Sequence, residues 1–255
     1  MSRLQSKDSR VYIDGFDMSG YAKSAPQMNF GFSEAAWQSI VDDVNGVLPG
    51  QAMISLGVFN TVLDNTATSG IHAALSSSDA VRSVMIALGA LGAPAAGDPV
   101  FCAQVGQLNY QPVIGKSGVV TATIKFGNSD QRGDSLDYDN PWGTLLHAKA
   151  AKTAANSSGT AQESVAAQTS LGGYMMYHVI SSDGTVAIQV QDSTEEVNGS
   201  YGALLTSGDV DASSSPKHGI VTLAKNATVE KYTRWQIALN TATTVTFLVA
   251  FVRGR

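Results

Sequence analysis

The sequence predicts a mainly β protein, and three observations support this. Polar and apolar residues alternate through several segments that are rich in β-branched and aromatic side chains, which is typical of strands. Hydrophobic residues make up 44% of the 255 residues, enough to build a substantial core. Patterns with the helical period are few and short. We therefore expect a β-barrel or β-sandwich with a short helix, followed by a second β-sandwich.

The clearest strand signal lies at residues 120–126. Apolar side chains at 120, 122, 124 and 126 alternate with Thr121, Thr123 and Lys125. Because successive side chains of a strand point to opposite faces, the apolar set is expected to pack on a core. Thr121, Thr123 and Lys125 are then expected to face solvent or a lumen.

Further strands are predicted along the chain. The segments at 174–180, 185–191 and 232–239 have the composition of strands, and residues 11–21 have the pattern of a hairpin. The segment at 245–252 is apolar on both faces, which favours a central strand of a sandwich or one that a neighbouring subunit covers.

Two segments have a helical pattern. Residues 33–41 begin with Ser33, a plausible N-cap, and place Ala36, Trp37, Ile40 and Val41 on one stripe. Residues 69–75 are expected to form a second short turn or helix.

A polar, turn-rich segment at 128–140 predicts a domain boundary. We expect an N-terminal arm at 1–10. A first β domain is expected at 11–130 and a C-terminal β-sandwich domain at 131–255.

The composition disfavours several functions. The net charge of −5 disfavours sequence-specific binding of duplex DNA. The amino-terminal segment has no secretory pattern, and no segment has the apolar length of a membrane span. Charged residues make up only 15%, which suggests that partners cover much of the surface.

No catalytic motif is present in the sequence, so we expect a protein that is not an enzyme and needs no cofactor or metal. The four histidines are widely spread, and Cys102, the single cysteine, is expected to be buried. Asp14 and Asp17 are close enough to bind a cation or to serve in acid–base chemistry, although aspartate is also common in turns.

One alternative function is a carbohydrate-binding or host-surface-binding β-sandwich. Its candidate aromatic residues are Trp142, Tyr201 and Trp235.

The order of short motifs over residues 10–128 resembles the tail tube proteins of long-tailed bacteriophages. The matching segments are a hairpin, IDGFDMSG, a loop motif, LPG, a strand, SLGVFN, the segment LNYQP and a closing strand, GVVTATIKF. The sequence departs from the family pattern at Asn60, where an aspartate is usual, and in the helical pattern at 33–44.

The resemblance implies a subunit that polymerises into stacked rings, either hexamers or pseudo-hexameric trimers, which form the conduit for phage DNA ejection. Contacts between rings or subunits are expected at Leu48, Pro49, Gly50 and Gln51. The implied partners are further copies of the chain, the tape measure protein and the tail terminator or tip proteins. Genomic DNA would pass through the tube without sequence-specific binding. The implied location is the virion tail, assembled in the host cytoplasm, with residues 131–255 as an outer decoration. A capsid decoration or cement protein is the alternative within the same class.

Overall fold

The computed structural model describes ten stretches of the chain: residues 8–23, 26–37, 46–64, 70–77, 80–90, 92–114, 120–128, 140–154, 157–163 and 167–254. Within them lie sixteen strands and one short helix, so the predicted mainly β class is confirmed. The elements are β1 (Ser9–Ile13), β2 (Phe16–Asp17), β3 (Met28–Trp37), β4 (Gly46–Leu56), β5 (Phe59–Val62), α1 (Ile71–Leu75), β6 (Ala80–Leu88), β7 (Pro99–Ile114), β8 (Val120–Asn128), β9 (Trp142–Lys152), β10 (Gln162–Glu163), β11 (Gly173–Ser182), β12 (Thr185–Ser193), β13 (Gly202–Asp211), β14 (Lys217–Thr222), β15 (Tyr232–Leu239) and β16 (Val245–Arg253).

A ten-stranded antiparallel sheet contains strands from both halves of the chain. Its main order is β14-β11-β16-β9-β7-β6-β1-β2, while β8 pairs with β7 and β5 pairs with β8. The 16-residue strand β7 makes this possible because its first part pairs with β6 and β9 and its second part with β8. The doubly apolar strand β16 lies between β11 and β9, in the central position that its pattern predicts.

The second half of the chain forms a sandwich. A four-stranded sheet, β10-β15-β12-β13, packs on the β11 and β16 part of the large sheet. Val186, Ile188 and Trp235 from the smaller sheet meet Met175 and Phe247 from the larger one in a shared core. Burial of these apolar faces is what holds the two sheets together.

Two more cores lie on the large sheet. One fills the first half, where Phe59, Phe101 and Ile124 pack with Ile71 and Leu75 of α1. The other combines residues of β1, β6 and β7 with residues of β9, β11 and β16. The large sheet therefore curves back so that its first-half strands pack against its second-half strands.

The predicted boundary near residue 131 remains a prediction, and residues 129–139 lie outside the described stretches. Pro99–Phe101 of β7 pair with Thr144–Trp142 of β9, so one sheet continues across this part of the chain. The strand β1 begins at Ser9, inside the segment predicted as an arm, because Ser9 and Arg10 pair with Leu88 and Ala87.

The helical pattern at 33–41 is a wrong prediction as far as Trp37, where the described stretch ends. Residues 28–37 instead form β3, which pairs with β4. A helix of nine residues forms too few hydrogen bonds to offset the unfavourable free energy of forming its first turn. A strand at this position instead forms a ladder of cross-strand hydrogen bonds with β4. The second helical pattern is confirmed by α1.

Candidate assembly surfaces

The β3–β4 hairpin forms a two-stranded sheet of its own. Its ladder runs from Met28 opposite Leu56 to Trp37 opposite Gly46, about 30 Å at roughly 3.3 Å per residue. One end is anchored because Ile54 and Leu56 are buried in the first-half core.

Both outer edges of this hairpin are unpaired by any other strand in the described part of the chain. The remaining sheet edges are shorter or interrupted. The edge strands β2 and β10 have two residues each, and β13 carries two register irregularities together with Asp209 and Asp211. Short edges and irregular, charged edges discourage pairing with another chain. The strands β3 and β4 have ten and eleven residues and so are not protected by being short. An isolated hairpin of this length is also only marginally stable in water without further packing.

The residues predicted to contact a neighbouring subunit lie within this hairpin. Leu48, Pro49, Gly50 and Gln51 belong to β4, with Leu48 opposite Ala35 and Pro49 opposite Glu34. The sequence motif predicts a loop here, whereas the structure has an extended strand. Proline lacks an N–H group and is tolerated because this sheet has only two strands and is irregular between Phe32 and Glu34.

A second surface is the outer face of β5, β8 and β7, which we call the polar face. On β8, Thr121 and Thr123 are half-buried and Lys125 is exposed, while Ala122 and Ile124 on the other side are buried. Cross-strand register places more polar residues beside them. The polar face comprises Asn60, Asn109, Gln111, Thr121, Thr123 and Lys125, and the same register places the exposed Val62 and Val113 on this face, opposite Thr121.

Hydrogen bonds order the polar face. The Thr123 hydroxyl donates to Asn60 Oδ1 at 3.2 Å, and the Lys125 backbone N–H donates to Asn109 Oδ1 at 2.8 Å. Lys125 carries the one charge among the six residues. The face is therefore nearly neutral, with amide and hydroxyl groups in cross-strand rows.

Two exposed apolar side chains lie at the end of β7. Val113 and Ile114 are 45% and 83% exposed, and we call these two residues the apolar tip. Leu108, six positions before Ile114 on the same strand, is 57% exposed. Val58, just before the neighbouring strand β5, and Val62, at the end of that strand, are also exposed. Exposed large apolar residues in one region indicate a contact surface more than isolated ones do.

A polar network joins the β1–β2 turn to both halves of the chain. Asp14 and Gly15 form the two-residue turn, and both have positive φ angles, 50° and 88°, as this hairpin type requires. Asp14 Oδ2 accepts from Arg82 Nη1 at 2.9 Å, and Asp14 Oδ1 accepts from the Ser83 N–H at 2.8 Å. On the other side, the Gly15 N–H donates to His178 Nδ1 at 2.7 Å.

The same region shows what the carboxylates of Asp14 and Asp17, considered above as candidate cation ligands, contact in the structure. Each carboxylate already has a cationic side chain as partner, Arg82 for Asp14 and Lys149 for Asp17 at 2.6 Å. Burial pushes the pKa of Asp17 upward, but hydrogen bonds from Lys149 and Ser19 outweigh it and hold that pKa below its usual value. The two aspartates thus act as turn and ion-pair residues here.

The three aromatic residues of the carbohydrate alternative do not share a surface. Trp235 is 3% exposed and packs in the sandwich core, with its ring 4.5 Å from that of His147, so its predicted role on a binding face is wrong. Trp142 is half-buried against Phe101, on the large sheet. Tyr201 is half-buried beneath the Arg234 guanidinium at 3.9 Å, beside the smaller sheet.

Cys102 is buried, as predicted, and burial raises the pKa of its thiol, which keeps it protonated. Among the described residues, no three His, Cys, Asp or Glu side chains are grouped so that they could hold a metal ion. The one described helix, of five residues, is too short to cross a membrane, and no longer apolar helix occurs in those stretches.

Comparisons with protein families, curated sequences and solved structures found one weak structural likeness. No family model matches the chain, and no curated protein sequence matches it significantly. Among solved structures it is similar to the Dit protein of phage SPP1, described as a paradigm of the hub adsorption apparatus in phages that infect Gram-positive bacteria. That likeness covers 95% of this chain and 98% of the other, with 9% identity and a TM-score of 0.32. A likeness of this size assigns no function to the chain.

Proposed function

We propose that this chain is a structural protein of a phage tail and, more specifically, the major tail tube subunit that polymerises into stacked rings. The single observation that supports the proposal most is the β3–β4 hairpin, about 30 Å long by its ladder and roughly 3.3 Å per residue, with both edges unpaired in the described residues. The order of short motifs at residues 10–128, which resembles that of phage tail tube proteins, is the reason for proposing this class of protein.

The hairpin favours self-assembly on energetic grounds. Each unpaired backbone group along β3 and β4 is a donor or acceptor that another strand can satisfy. Copies of the same chain offer matching edges in fixed register, and a closed ring of copies leaves no edge free. In this account Leu48, Pro49, Gly50 and Gln51 lie at contacts between copies.

The polar face suits the lining of a DNA conduit. DNA slides past a surface only if phosphates find few cations, because each phosphate neutralised by a lysine or arginine adds affinity through counterion release. Thr121 and Thr123 present neutral groups, and Lys125 is the single cation of that face. The net charge of −5 acts in the same direction.

The remaining parts of the proposal follow from the resemblance to tail tube proteins. Rings form as hexamers or as pseudo-hexameric trimers, and the tape measure and tail terminator or tip proteins are the other partners. The protein is a virion component assembled in the host cytoplasm. The sandwich of the second half then projects outward as a decoration, and the chain is not an enzyme.

A paired deletion tests the proposal. Removal of residues 48–51 shortens β4 within the hairpin but leaves its anchor at Ile54 and Leu56 in place. Removal of residues 194–197, an exposed part of the β12–β13 connection, is the matched control. We expect both variants to fold, and only the first to lose rings in sedimentation and negative-stain images. Normal ring stacking by the first variant would contradict the proposal.

A further inference from the structure

His178 lies in the middle of the contact between the two halves of the chain. Its side chain is fully buried on β11, where its cross-strand neighbours are His218 on β14 and Leu248 on β16. Its Nδ1 accepts the Gly15 N–H from the β1–β2 turn at 2.7 Å. Its Nε2 has no hydrogen-bond partner among the described residues.

This geometry fixes the protonation state of the ring. A nitrogen that accepts a hydrogen bond carries no proton, so the imidazole is neutral with its proton on Nε2. An imidazolium has donors on both nitrogens and cannot accept the Gly15 N–H. Protonation of Nδ1 and the closed contact at Gly15 therefore exclude each other.

The turn has no room to adjust while the contact stays closed. A methyl group at Gly15 would come within 2.8 Å of the Lys217 carbonyl oxygen and of Pro216. The turn thus sits directly on the chain that enters β14. Loss of the Gly15 hydrogen bond inside this contact would leave a buried N–H without an acceptor, which costs free energy unless the turn moves away.

The groups around His178 include one that would repel a positive charge on its ring and one that would attract a positive charge to the β1–β2 turn. From β14, the ring of His218 faces it at 6.2 Å between centroids, and a positive charge on His218 opposes one on His178. His218 Nε2 also lies 3.5 Å from Asp14 Oδ1, so a charged His218 is drawn to the turn. Asp14 is itself neutralised by Arg82 of β6.

The other titratable groups near the contact add no compensating negative charge. From β1, Tyr12 lies 6.4 Å from His178 between ring centroids, and burial raises the pKa of its hydroxyl, which keeps it neutral. The carboxylate of Asp17 on β2 is paired with Lys149 of β9. The cross-strand neighbour on β16, Leu248, is apolar.

We propose that the contact between the β1–β2 turn and the β11–β14 strand pair is an acid-opened joint, in which protonation of His178 Nδ1 releases the Gly15 N–H and separates the turn from β14. At neutral pH the joint holds the β1–β2 turn against β14, and in acid this contact opens while the sheet that continues through β7 and β9 keeps the two halves joined. Burial, with the neighbouring His218 adding to it, lowers the pKa of His178 to about 3, so opening begins below the ordinary histidine pKa and continues as the pH falls.

Amide hydrogen exchange on the full chain tests this proposal. Protection of the peptide that spans residues 12–16, corrected for the intrinsic exchange rate, is measured at pH 7 and pH 4.5. We expect at least a tenfold loss of protection at the lower pH in the wild-type chain. In His178→Asn, where Oδ1 can accept the Gly15 N–H but does not titrate, protection should be the same at both values. His72→Asn, which removes an exposed histidine, is the control and should behave as wild type.

Two results would overturn the joint. One is unchanged protection of the wild-type peptide between the two pH values, and the other is an equal loss in His178→Asn. Where that variant does not fold, the wild-type chain provides a second measurement. The ring nitrogens of His178 and the Gly15 amide must then titrate with one midpoint, and two separate midpoints contradict the proposal.

Discussion

Arg82 and Asp14 form an ion pair at 2.9 Å in which each side chain is only 11% exposed. Arg82 Nε also donates to Gln107 Oε1 at 2.9 Å, and its Nη2 donates to the Ser77 carbonyl oxygen at 2.7 Å. Gln107 in turn donates to the Leu75 carbonyl oxygen at the end of α1. One guanidinium thereby ties the β1–β2 turn, β6, β7 and the chain that follows the helix together.

Substitution of Asp14 separates its charge from its role in the turn. Asp14→Asn keeps a residue that tolerates positive φ and keeps an oxygen for the Ser83 N–H, but removes the charge. We expect it to lower the free energy of unfolding by about 3 kcal/mol, because a mostly buried cation loses its partner. Asp14→Ala also loses the turn preference and the Ser83 acceptor, for about 1–2 kcal/mol more. Urea denaturation of the two variants measures the difference, and equal losses would show that the turn geometry does not matter.

His147 predicts a pH dependence in the second-half sandwich. Its ring stacks on Phe247 at 4.2 Å, and burial, with a further contribution from Lys152, lowers its pKa from 6.5 to about 4. The unfolded chain therefore binds this proton more readily than the folded one. The stability that the neutral ring contributes is complete above pH 6.5 and is lost as the pH falls towards 4, in total about 3 kcal/mol at roughly 1.36 kcal/mol per pKa unit.

The variant His147→Phe isolates this contribution. It keeps an aromatic ring against Phe247 but cannot titrate. Urea unfolding midpoints at pH 7 and pH 4.5 should differ less in the variant than in the wild type, with His178 supplying the remaining dependence in the same direction. An unchanged difference would mean that His147 does not titrate as a buried group.

The apolar tip predicts a specific assembly defect. Ile114→Asp places a charge on a side chain that is 83% exposed, so the fold should be unaffected. If copies bury this residue, the charge should prevent assembly, seen as a shift from large species to single copies in sedimentation. Val197→Asp, at a residue that is 56% exposed in the β12–β13 connection, is the matched control and should assemble normally.

The polar face predicts how added charge affects DNA. Thr121→Lys with Thr123→Lys adds two cations beside Lys125. Assembled particles of this variant should retain duplex DNA at low salt and release it as salt rises, since each added phosphate contact steepens the salt dependence by roughly 0.9 in log–log slope for duplex DNA. Wild-type particles should not retain it. Equal behaviour of the two would place the polar face away from the DNA path.

Local pattern predicts much of this fold because one face of most strands is buried. The alternation at 120–126 predicts β8 and the side on which Ala122 and Ile124 are buried, and the predicted bounds of β15 agree with the structure. The pattern at 33–41 fails because periodicity over a few residues is ambiguous, and pairing with the distant segment 46–56 decides it.

The candidate sites were less predictable for a related reason. The bond between Gly15 and His178 joins residues 163 positions apart, and no local signal points to it. A tryptophan such as Trp235 is common both on carbohydrate-binding surfaces and in cores, and only the sheet register decides which face of the strand it occupies. The unpaired edges of β3 and β4 likewise emerge only once every other strand has its partners.

The most direct test of the central claim is the assembly state of the purified full chain, followed by sedimentation velocity over a hundredfold concentration range and by negative-stain microscopy. We predict rings that stack into tubes as the concentration rises. A single-copy particle at every concentration, or trimers that bind capsids and never stack, would contradict it.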